Sequence, residues 1–103
     1  MTDVYELIRG ATLARRQVVA TYNGYRRELC PHVLGTKNGR RQALFFQFAG
    51  GSASALPPGG DWRCIPVDGL NDVVIRDGPW HTGVGDQQAE RCVDTIDVEA
   101  PPG

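Results

Sequence analysis

Val4, Leu7, Ile8, Ala11 and Ala14 recur at three- and four-residue intervals, while Arg9, Arg15 and Arg16 fall off that stripe. The spacing predicts an amphipathic helix over residues 3–15, laid against a sheet. Asp3, with Glu6 three residues later, has the form of a capping box at its start. After Arg16 the period shortens to two. Residues 17–22 are rich in β-branched and aromatic side chains, and Asn23-Gly24 tolerates the positive φ of a two-residue hairpin turn. Residues 25–34 form the return strand, with Pro31 restricting it to an edge or a bend. Lys37-Asn38-Gly39-Arg40 supplies a second hairpin turn, and residues 42–48 read as a third strand. There Leu44, Phe46 and Phe48 share one face, and Ala43, Phe45 and Gln47 the other. The face carrying Phe45 is expected to look outward.

Residues 49–61 have no period and a Gly, Ser and Pro composition, so they read as a long loop of the kind that is mobile or functional. Residues 62–67 and 73–76 predict two more short strands, separated by a turn at Asp68-Gly69. Beyond residue 77 the chain reads as irregular, with a last edge strand available over residues 92–98. The expected architecture is mainly β with one N-terminal helix. Its sheet is small, strongly bent and antiparallel, or a partly open barrel. With 103 residues there is one core and one domain, residues 1–103: the helix over 3–15, the meander and barrel over 17–76, and the irregular segment over 77–103.

Charge sharpens this picture. Through Arg41 the chain carries eight Arg or Lys against three Asp or Glu; from Gln42 onward it carries three against nine. The net charge of −1 gives no general pull toward nucleic acid or a membrane surface. A local patch does stand out. Tyr22, Tyr25, Arg26, Arg27, Arg40 and Arg41 gather at the ends of the first two hairpins. Arginines pair with phosphates while aromatic rings stack bases, so this set is the candidate site for an anionic small ligand or a single-stranded nucleic acid.

The order of these elements resembles the WYL-domain family. The resemblance is carried by the leading helix, a strand ending in Tyr22-Asn23-Gly24, and Arg27-x-x-x-Pro31-x-x-Leu34. An Asn-Gly-Arg turn, an apolar strand and Trp62-Arg63-Cys64-Ile65-Pro66-Val67-Asp68-Gly69-Leu70 then follow, over roughly residues 5–76. It implies a small Sm-like β-barrel, usually the ligand-sensing part of bacterial transcription regulators, implicated in binding nucleic acid or nucleotide-like effectors. It adds Arg63 to the candidate ligand contacts. The tripeptide that names the family falls on Gln42-Ala43-Leu44, and a later family arginine falls on Gly69.

Three cysteines, an odd number, predict no disulfide framework, and with no leader-like apolar run at the start a reducing cytoplasm is the expected setting. Cys30 and His32 are two apart and share a strand face, so they could ligate zinc with Cys64, His81 or Cys92, or act as nucleophile and base. The lack of a C-x-x-C pair and of any orienting third group argues against both, and no cofactor is implied. Trp80 and His81, in Gly-Pro-Trp-His-Thr-Gly, are candidate partner contacts, and an open sheet edge would permit self-association. The expectation is therefore a non-catalytic binding or regulatory module, with a protein-interaction subunit as the alternative and a Cys30/His32 thiol or zinc enzyme as the second.

Overall fold

A computed structural model describes residues 3–52, 56–83 and 92–101. The chain opens with α1, Val4–Ala14, whose N-cap Asp3 accepts from the Tyr5 N–H. The helix stops at Arg15, which takes the left-handed conformation (φ 54°) while its N–H reaches back to the Ala11 and Thr12 carbonyls. Ile8 and Ala11 of the expected stripe are buried together with Thr12, whose hydroxyl donates to the Ile8 carbonyl, whereas Ala14 is exposed.

Six strands follow: β1 Gln17–Tyr22, β2 Tyr25–Lys37, β3 Arg40–Gly50, β4 Asp61–Pro66, β5 Asn71–Arg76 and β6 Thr95–Glu99, with a short 3-10 turn at Val67–Gly69 between β4 and β5. Both hairpin turns form where Asn-Gly stands: Asn23 and Gly24 have φ of 51° and 80°, and Asn38 and Gly39 have 51° and 78°. Positive φ at both central residues matches the right-handed twist of the flanking strands. All pairings are antiparallel, in the order β4-β3-β2-β1-β5.

β2 is the spine. One edge pairs with β3 from Arg27 to Lys37; the other pairs first with β1 and then, from Val33 to Thr36, with β6. Pro31 therefore lies in an interior strand rather than at an edge, next to a register shift between Pro31 and Val33 that accommodates its missing N–H. β6 forms within the irregular segment about where a last edge strand was expected, over Thr95–Glu99 against the expected 92–98. Its approach depends on Gly35, where a Cβ would stand 2.0 Å from the Thr95 carbonyl oxygen.

Among the described residues no ladder joins β4 to β5, so the sheet is bent and open, not a closed barrel. Its concave face holds the main core: Ile8 and Ala11 from α1 meet Val18, Leu29, Phe45 and Ile65. Phe45, expected to face outward, is fully buried there. The opposite face is also covered. Val33 and Leu44 are buried with Cys92 and Val93, and Trp62 closes over them.

The cysteine expectation is corrected here. Cys64 of β4 and Cys92, just before β6, form a disulfide, and Cys30 is the buried free thiol. An odd count conceals a pair whenever one cysteine serves only as core. No helix among the described residues is long and apolar enough to cross a membrane.

Candidate anion-binding site at the open end of the sheet

The end of β1, the start of β2, the end of β3 and the start of β4 meet at one end of the concave face. Strand alternation fixes what they contribute. Val18 and Ala20 are core residues of β1, so their β2 partners Leu29 and Arg27 look inward as well. Phe45 and Gln47 look inward from β3, and their β4 partners are Arg63 and Asp61. Two guanidiniums are thus directed into the polar end of a hydrophobic core.

Arg27 is only 4% exposed. Its Nη1 donates to Gln47 Oε1 and its Nη2 to the Tyr22 carbonyl, both at 3.3 Å. Its guanidinium lies over the Tyr22 ring at 5.1 Å and the Tyr25 ring at 6.0 Å. Gln47 is fully buried and donates its amide to the carbonyls of Ala49 and Gly51, at 3.1 and 3.0 Å. Arg63 is held by one ion pair, Nη1 to Asp61 Oδ2 at 3.3 Å. Burial, and secondly the neighbouring positive charge of Arg63, hold the Arg27 pKa below its ordinary value.

Three nitrogens in this group are buried with no hydrogen-bond partner among the described residues: Arg27 Nε, Arg63 Nε and Arg63 Nη2. A buried donor left unpaired costs about 1–3 kcal/mol, more when charged. Gly69 stands where a Cβ would be 2.8 Å from the Tyr22 ring, so the 3-10 turn closes directly over this tyrosine.

Of the residues expected to bind a ligand, Tyr22, Tyr25, Arg27 and Arg63 come together here. Arg26, Arg40 and Arg41 do not. Arg41 is at the far hairpin, paired with Asp3 and Asp68 at 3.2 and 2.8 Å and lying over Tyr5. Arg40 is exposed at that same far turn. Arg26 is on the outer face, 3.8 Å from Glu28. Gln47 and Asp61 complete the site without having been singled out. A glutamine on the same strand face as Ala43 and Phe45 was the available signal, since a polar side chain on an apolar face needs a partner.

The thiol and imidazole lie across the sheet. Cys30 and His32 share a face, as expected, but residues 77–83 fold over them. The His81 N–H donates to Cys30 Sγ (3.3 Å), and His32 Nε2 donates to the His81 carbonyl (3.1 Å). His32 sits 4.8 Å from the Trp62 ring and 4.9 Å from the Trp80 ring, and His81 stacks on Phe48. Burial raises the Cys30 pKa and lowers that of His32, which favours neutral thiol and neutral imidazole over a thiolate–imidazolium pair. Cys64 and Cys92 are in the disulfide, so they are not thiolate ligands for zinc. Among the described residues no group of three His, Cys, Asp or Glu side chains is placed to hold a metal ion. Trp80 and His81, expected as exposed contacts, are half-buried in this layer. Residues 53–55 of the Gly/Ser loop lie outside the described residues.

No family model, curated protein or solved structure matches this chain.

Proposed function

We propose that this protein is a non-catalytic binding or regulatory module that takes an anionic ligand, a nucleotide or oligonucleotide being the leading classes, at the Arg27–Arg63 pair. The observation that carries this reading is the under-compensated charge: two inward guanidiniums, one partly exposed carboxylate, and three buried N–H donors with no acceptor among the described residues. An anion would supply both the missing charge and the missing acceptors. Tyr22 and Tyr25 add ring faces at the rim. The resemblance to ligand-sensing WYL domains agrees in kind, with the site moved from the hairpin tips to the open end of the sheet.

Isothermal titration calorimetry at low salt, with inorganic phosphate, citrate, adenosine 5′-monophosphate and a short single-stranded oligonucleotide, tests this reading. At least one should bind, and Arg27→Gln should weaken it on the order of tenfold or more. Silence from every anion, or unchanged affinity in Arg27→Gln, overturns it.

A second reading is favoured by one observation. β5 ends the sheet, Val74 is 57% exposed, and beside it a depression of about 400 Å³ is lined by Val19, Thr21, Arg26, Asp72 and Arg76. An open edge next to apolar surface suits strand pairing with a protein, a second copy included. A concentration-independent monomer by sedimentation would count against self-association.

A further inference from the structure

Resting on the strand-pairing reading above, we infer that β5 pairs antiparallel with β5 of a second copy of this chain, about a two-fold axis that sets Val74 opposite Val74 of the partner subunit. The strand is the last of the sheet, and among the described residues no strand pairs with its outer edge. A free edge of this kind is a template for another strand. Its two faces differ. Val73 and Ile75 pack against the main core, while Asp72, Val74 and Arg76 line the depression on the outer face. Asp72 joins that face from a bulge, with φ 52° and two β5 residues opposite Ala20.

The two faces restrict the register. In an antiparallel pair, side chains directly opposite each other lie on the same face of the sheet. A two-fold axis normal to the sheet keeps each face on its own side, so an outward residue meets only another outward residue. The axis therefore passes through Val73, Val74 or Ile75, never between two of them. Centred on Val73, the pairing sets Val74 against Asp72; centred on Ile75, it sets Val74 against Arg76. Either choice puts the most exposed large hydrophobic side chain among the described residues against a charge. Centred on Val74, the pairing joins Val74 to Val74, Val73 to the partner's Ile75 and Asp72 to the partner's Arg76.

The charges fit the same register. Arg26 and Arg76 share one carboxylate, Glu28, which leaves a surplus cation on this face. Asp72 has no hydrogen bond or ion pair among the described residues. The two-fold axis meets both demands twice, and apolar side chains meet on both faces. Self-complementarity of this kind is what a second copy offers and an arbitrary strand does not. A contact confined to one short strand falls below the roughly 1,000 Å² of a stable interface, so the association is weak and concentration-dependent.

Sedimentation velocity at low salt, from micromolar to submillimolar protein, tests this with the wild type, Val74→Lys, Val74→Glu and an equimolar mixture of the two variants. The wild type should shift from monomer toward dimer as concentration rises. Each variant alone should dimerise on the order of tenfold more weakly, because like charges then stand directly opposite each other, and the mixture should regain the dimer. If either variant does not fold by circular dichroism, Asp72→Asn, which suits the left-handed backbone, should weaken the dimer and lessen its dependence on salt. Tighter dimers of Val74→Lys would place the axis at Val73, where the new cation meets Asp72. Tighter dimers of Val74→Glu would place it at Ile75, where the new anion meets Arg76. Either result overturns this register and leaves pairing through β5 standing. A wild-type dimer indifferent to every substitution removes β5 from the interface and overturns the inference. Absence of a dimer at every concentration overturns self-association as well, and leaves the anion-binding reading to its own test.

Discussion

Arg27 and His32 are five residues apart on β2, almost equally buried at 4% and 6% exposed, and face opposite sides of the sheet. Their surroundings treat them differently. Around His32 the polar atoms of Cys30 and His32 are paired, the His81 carbonyl accepting from Nε2 and the His81 N–H donating to Cys30, although the neighbouring Trp62 Nε1 and Arg15 Nε are buried without a partner among the described residues. Around Arg27 and Arg63 three donors have no partner among the described residues, and like charges face each other. Burial with satisfaction is what a stable second core needs. Burial without it is a standing cost, and such costs persist at binding sites because a ligand repays them. The Cys30–His32 pair is therefore described as part of the core, and the arginine pair, with three unpartnered nitrogens and two like charges, as the proposed binding site, although the sequence offers more recognisable chemistry in the former.

The largest test of that division is the disulfide. Cys92 and Val93 are buried against Val33, Leu44 and Trp62, beside the rings around His32, so the Cys64–Cys92 bond staples the structural layer. Closing a loop with a sequence separation of 28 residues restricts the unfolded chain by about 3.5 kcal/mol. Replacing both partners, Cys64→Ser with Cys92→Ser, should lower stability by roughly that amount in urea melts. The arginine pair is on the other face, so anion affinity of the still-folded fraction should change little. A loss of affinity that exceeds the unfolded fraction would show that the two faces are coupled.

A smaller effect separates the sites by pH. Burial, opposed in part by the bond to the His81 carbonyl and reinforced by the nearby Arg15 cation, holds the His32 pKa below its ordinary 6.5. Above that ordinary value both folded and unfolded chains carry a neutral imidazole, and the stability associated with His32 is fully present. As pH falls below it the unfolded chain binds a proton that the folded chain refuses, so stability declines until the lowered folded pKa is reached. The urea midpoint of the wild type should therefore fall between pH 7 and pH 5, and His32→Phe should flatten that decline. A wild-type midpoint that rises over the same interval would contradict a neutral, buried His32.

Much of this fold was legible in local pattern. The helix stripe, the two Asn-Gly turns and the alternation through β1 and β3 depend on neighbours within a few residues, and they came out within one to three residues of the observed ends. What depended on distant partners did not. Phe45 read as outward because nothing local says that both faces of β3 are covered, and Pro31 left an edge and a bend open because a bulge inside the sheet relieves its missing N–H as well as an edge does. The Cys64–Cys92 pair needed three-dimensional proximity. The site was half legible: the tyrosines and Arg27 stood out by composition, whereas Arg40 and Arg41 shared that composition and belong to the opposite end of the hairpin. Linear clustering cannot distinguish the two ends of a long strand pair.

The smallest effect bears most directly on function. If the arginine pair is held at a cost for the sake of a ligand, then removing one member should help the empty protein. Arg63→Met keeps the aliphatic length that lies against the strands, removes the charge opposing Arg27, and eliminates two of the three unpartnered donors. Asp61, left without its cation, is 44% exposed and can be hydrated. Replacing buried charges with apolar side chains is often neutral or stabilising, and here a gain of about 1 kcal/mol is expected in anion-free buffer. In phosphate the order should reverse, because the wild type gains RT ln(1 + [L]/Kd) from binding and the variant does not. Paired thermal melts across a phosphate series therefore give crossing lines if the pair is a binding site. If Arg63→Met is less stable at every phosphate concentration, the guanidinium is an ordinary structural support, and the contrast between the two faces of β2 collapses.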